Sequence, residues 1–65
     1  MQVFINKVAH VLPPEATLAK AIALIEAKPP FAVAVNLQFV PKTHYAQYLL
    51  QAQDQVEIIS PVTGG

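Results

Sequence analysis

The chain has no cysteine and no arginine, and its only two glycines are the adjacent pair at positions 64 and 65. Without cysteine there is no disulfide, and two separated histidines are too few for a structural zinc site, so packing alone must hold the fold. Without arginine, and with four lysines against four acidic residues, no basic face can be built to displace counterions from nucleic acid. Apolar stretches are short, "FAVAV" for example, far below the ~20 residues that span a bilayer. The amino end "MQVFINKVAH" lacks the apolar run of a signal peptide, so the expected location is cytoplasmic and no membrane partner is expected. Charge is scarce as well: 12% of residues, against about 25% in an average globular domain.

What is present is apolar. At 65 residues the chain is read as one domain, 1–65, with a body over 1–60 and a tail over 61–65. A domain that small buries only about 60% of the surface its unfolded form exposes. A hydrophobic content of 54% makes a packed core feasible but leaves too few polar residues to cover the outside. Some apolar surface must therefore face solvent, and such patches tend to be docking sites.

Periodicity assigns the elements. "MQVFIN" alternates as a strand, Val3 and Ile5 on one face and Gln2, Phe4 and Asn6 on the other. "VAHVL" can pair with it around Asn6-Lys7, a weak turn signal because glycine does not follow the asparagine. "TLAKAIALIEAK" predicts a helix with Thr17 as N-cap and a stripe of Leu18, Ala21, Ile22 and Ile25. Lys28 suits its C-terminal end, and Pro29-Pro30 stops it. "FAVAVN" is a strand with Phe31, Val33 and Val35 on one side, "QFV" a short strand, "THYAQYLLQ" a short helix or helical turn. "QVEIIS" is the last strand, Val56 and Ile58 inward, Glu57 and Ile59 outward. The order predicts an α+β domain with one main helix packed on one face of a mixed sheet.

The tail "PVTGG" follows that last strand, with Pro61 stopping further pairing. Two glycines end a chain by chance about once in two hundred times. Together with "FIN" in the first strand, "TL" opening the helix, "AVAVN" followed by "FVP", and "DQVEII", this ending resembles the sulfur carriers of thiamine biosynthesis, the ThiS family. The resemblance covers essentially the whole chain, and its specificity lies in the order and spacing of the pieces. One position departs from the family pattern: Gln53 stands before Asp54 where glycine is usual. Gln53 must then adopt positive φ at a cost or shift the turn.

The resemblance implies a β-grasp, ubiquitin-like fold with the first and last strands parallel neighbours at the centre of the sheet. It also implies a role. An E1-like adenylyltransferase uses ATP to join the Gly65 carboxylate to AMP, a persulfide donor supplies sulfur, and the resulting thiocarboxylate gives that sulfur to a thiazole synthase. Thr63, Gly64 and Gly65 would thread the partners' active sites, where a missing Cβ and free φ and ψ are useful. No catalytic side chain, bound cofactor or metal is expected on the carrier itself. Two other readings share the tail: the small subunit of molybdopterin synthase, and a ubiquitin-like modifier joined to lysines.

Among side chains, Phe4 and Ile59 are expected on the sheet face opposite the helix as a partner-docking patch, unless the segment after Val40 folds over them. His10 and His44 read as surface or partly exposed residues, and Tyr45 and Tyr48 as core packing with hydroxyls at the surface. Glu15, Glu26, Asp54 and Glu57 are dispersed and form no acid/base pair, and Asp54 is expected to shape a turn.

Overall fold

The computed structural model describes residues 1–60. Alternating apolar residues become strands β1 (Gln2–Ile5), β2 (Val8–Val11), β3 (Ala32–Val35), β4 (Gln38–Val40) and β5 (Gln55–Ile59), with one helix, α1 (Leu18–Leu24), between β2 and β3. The sheet order is β2-β1-β5-β3-β4. β1 and β5 run parallel and the other neighbours antiparallel, so the mixed sheet and central last strand expected above are present. Val3, Ile5, Val33, Val35, Val56 and Ile58 point from one face into a core closed by Leu18, Ala21 and Ile22 of α1 and by Leu12, Val40 and Leu50. Among the described residues the other face carries no helix.

The helix is shorter than its spacing predicts. Thr17 caps it as expected, its Oγ1 accepting the Lys20 N–H at 3.2 Å. It stops at Leu24, with Ile25 as C-cap and Glu26 left-handed at φ 56°. The Glu26 N–H donates to Ala23 O and the Ala27 N–H to Ile22 O, the paired bonds of a Schellman ending. Had the helix run on to Lys28, Ala27 would sit across the cylinder from the Leu18–Ile22 stripe. Ending early lets Ile25 and Ala27 both pack against the core. Lys28 consequently lies beyond the last turn, which holds no basic residue.

Turns are made without glycine. Asn6 and Lys7 have φ of 51° and 70°, and Asn36 and Leu37 repeat those values. Both two-residue hairpins therefore take the type I′ form, whose twist matches the strands it joins. Asparagine tolerates the left-handed region, whereas lysine and leucine occupy it at a cost of about 1–2 kcal/mol each. Gln53 resolves the question at its turn in the same way, with φ 71°. Glu15 brings the described left-handed residues to seven, none of them glycine.

Beyond Val40, Lys42–His44 forms one turn of 3-10 helix. The chain then packs beside α1: the Leu18 and Ala19 N–H groups donate to Tyr48 O and Tyr45 O, and the Leu50 N–H to Ala16 O. Tyr45 and Tyr48 lean on the core, and Tyr45 stacks on Phe31 with centroids 6.1 Å apart. Phe31 itself precedes β3 rather than belonging to it.

Because each left-handed residue is strained by its Cβ, Glu26→Gly and Gln53→Gly should each stabilise the fold by about 1 kcal/mol, the relief being partly offset by glycine's greater unfolded freedom. Urea unfolding should show a higher midpoint at unchanged slope.

Candidate functional site

The helix-free face presents large apolar side chains to solvent, Val11, Phe39 and Ile59 among them. The pleat places Gln2 and Phe4 of β1, Ala9 and Val11 of β2, Gln55, Glu57 and Ile59 of β5, Ala32 and Ala34 of β3, and Phe39 of β4 on this side. Register fixes the rows. Ala9 lies opposite Phe4, and Phe4 opposite Gln55. Glu57 lies opposite Ala34, and Ala34 opposite Phe39. Ile59 lies beside Ala32. Phe4 is half-buried, while Ile59 and Phe39 are 57% and 68% exposed.

Phe4 and Ile59 thus occupy one face on adjacent strands. They are offset by four positions of β5, about 13 Å along the strand. Glu57 stands between them. The segment after Val40 does not cover this face; its bonds to α1 put it on the helix side.

What positions this face is a pair of asparagines. Asn6, in the β1–β2 turn, accepts the Ile58 N–H on Oδ1 at 2.9 Å. Asn36, in the β3–β4 turn, accepts the Gln55 N–H on Oδ1 at 2.9 Å. β5 is held from the β1 side near one end and from the β3 side near the other. Asn36 also donates through Nδ2 to Asp54 Oδ1 at 2.9 Å, and Asp54 Oδ2 accepts the Gln51 N–H at 2.8 Å. Asp54 therefore shapes its turn as expected and, being buried, also ties that turn to the other hairpin. The asparagines' reach onto β5 was not legible in the sequence. The available signal was that each heads a tight turn and so has a side chain free to bond outward.

A hollow of about 400 Å³ is lined by Lys7, Asn36, Leu37, Gln55, Val56 and Glu57, of which Gln55 and Glu57 belong to this face. Its carboxylate and ammonium come from different elements, Glu57 from β5 and Lys7 from the first turn. A smaller hollow of about 250 Å³ lies among Pro29, Pro30, Phe31, Lys42 and Tyr45. Among the described residues, no three His, Cys, Asp or Glu side chains converge as a metal site, and no helix is long and apolar enough to cross a membrane. His10 is half-buried on β2, and His44 is exposed in the 3-10 turn. Thr63, Gly64 and Gly65 lie outside the described residues.

Comparison with known proteins follows the same line. A family model described as the ThiS family matches residues 2–65. No curated protein matches the chain. Among solved structures, the crystal structure of a thiamine biosynthesis protein (ThiS) from Geobacter metallireducens aligns over all of both chains, with a TM-score of 0.80 at 14% identity. At that identity the likeness shows the fold, a β-grasp.

Removing one clamp should loosen β5 locally. Asn6→Ala leaves the Ile58 N–H without its partner and is expected to cost about 1–2 kcal/mol. Amide exchange should quicken first at Ile58, with the Asn36-bonded Gln55 amide less affected.

Proposed function

The chain belongs to the ThiS family, and from that membership we propose that it is a cytoplasmic sulfur carrier of thiamine biosynthesis whose cargo rides on the Gly65 carboxylate. The match over residues 2–65 carries this reading, because it takes in Gly64 and Gly65 together with the body.

The chemistry explains why such a carrier needs activating. A carboxylate is a poor electrophile, since resonance and negative charge both repel a nucleophile. An E1-like adenylyltransferase would let the Gly65 carboxylate attack the α-phosphate of ATP, expelling pyrophosphate and leaving an acyl adenylate. A persulfide sulfur then displaces AMP, and cleavage of the sulfur–sulfur bond by a thiol leaves the thiocarboxylate. A thiazole synthase takes that sulfur. The carrier is a substrate in each step and not an enzyme; catalytic groups and ATP belong to its partners.

Thr63, Gly64 and Gly65 are the residues that would enter those active sites. Ordering them costs on the order of 1–2 kcal/mol per residue, so contacts elsewhere must offset it. The helix-free face is suited to this, with Phe4 and Ile59 as apolar anchors on the central strands and β5 leading directly toward the tail.

Incubation with the adenylating enzyme, ATP and a sulfur donor should replace one oxygen of the chain by sulfur, read as intact mass. Adding a bulky residue after Gly65 should abolish the change, and an unaltered mass with competent enzymes would overturn the assignment. Covalent adducts to target lysines in place of thiocarboxylate would favour the modifier reading. Phe4→Ala and Ile59→Ala should each weaken binding to the adenylating enzyme on the order of tenfold while the fold persists.

A further inference from the structure

Among the described residues Glu57 is the only carboxylate on the helix-free face, and its neighbours there are mostly apolar. Ala34 lies opposite it, with Phe39 beyond, and Ile59 follows two positions later on β5. Phe4 lies one row back, opposite Gln55. Glu57 is half-buried and takes part in none of the side-chain hydrogen bonds of the described residues, which use Asn6, Thr17, Asn36 and Asp54.

A partner that covers both Phe4 and Ile59 must also cover Glu57. Stripping water from an unpaired carboxylate is strongly unfavourable, so such a partner has to bring a counter-charge to that point. The hollow over β5 gives it room, with Glu57, Gln55 and Leu37 among its lining residues.

We propose that this hollow receives an arginine side chain of the adenylating enzyme, the guanidinium paired with Glu57 and its stem lying along Leu37. The proposal rests on the docking reading given above. Arginine fits better than lysine for two reasons: its planar fork can bond a carboxylate through two parallel N–H groups, and it is more weakly hydrated and so loses less on desolvation. Lys7 is the intramolecular competitor, since it lines the same hollow. It is exposed at the tip of a two-residue turn, whereas Glu57 is fixed within β5, so Lys7 can swing away when an arginine enters.

The two charges make opposite predictions. Binding of the full chain to the adenylating enzyme of the same organism would be followed by calorimetry at low and high salt. The set comprises wild type, Glu57→Gln, Lys7→Gln and Phe4→Ala, each checked for native circular dichroism. Glu57→Gln should weaken binding on the order of tenfold or more and flatten its salt dependence. Lys7→Gln should leave affinity unchanged or raise it, and Phe4→Ala should weaken it without altering the salt dependence. Glu57→Gln binding within a factor of about two of wild type overturns the proposal. So does Lys7→Gln weakening as much as Glu57→Gln, because Lys7 would then be the counter-charge. If Phe4→Ala weakens binding and Glu57→Gln does not, the docking face stands and only the arginine falls. If wild type does not bind, or Phe4→Ala binds as tightly as wild type, the docking reading fails and takes this inference with it.

Discussion

The fold depends on the parallel contact between β1 and β5. Each half of the sheet is a hairpin, β1–β2 or β3–β4, and β5 is the strand that joins them. The Phe4 N–H donates to Asp54 O and the Asn6 N–H to Val56 O, bonds between residues about fifty positions apart in sequence. The side chains of Asn6 and Asn36 add bonds to the same strand. A parallel pairing cannot be made by a tight turn; α1 joins β2 to β3 and so carries the chain from one half of the sheet to the other while covering the core face. One face is thereby sealed and the other left open, with β5 in the middle of both.

Much of this was legible because alternation is a strong signal when one face is buried. Val3 with Ile5, Val33 with Val35, and Val56 with Ile58 each identified a strand and its inward side before any geometry was known. The helix start was equally readable from Thr17. Its end was not, because the stop depends on where Ala27 can find the core, a tertiary fact that outweighed a favourable helical sequence. The tight hairpins were hard to read for a related reason: the residues usual at left-handed positions are missing. Asn36-Leu37 gives no conventional turn signal, yet it takes the same backbone as Asn6-Lys7.

The site divides similarly. Phe4 and Ile59 could be placed on the open face from parity alone, but their offset along β5 required the register. Glu57 read as one of several dispersed acids, because its apolar surroundings come from β3 and β4, which are distant in sequence. Asp54 was recognised as a turn former, whereas its link to Asn36 joins two turns that no local pattern connects. Gly65 belongs to a different category: it lies outside the described residues, and the role proposed for it rests on the sequence and on the family match alone.

A central strand that comes after the other described elements has a kinetic meaning. As the chain emerges from the ribosome, the first hairpin, α1 and the second hairpin can each begin to form, but they have no common sheet until β5 arrives. Loop closure over so long a separation is slow compared with hairpin formation, so completion should wait for that last strand. A polypeptide interrupted before Gln55 would leave two unjoined hairpins with apolar faces exposed, prey for proteases.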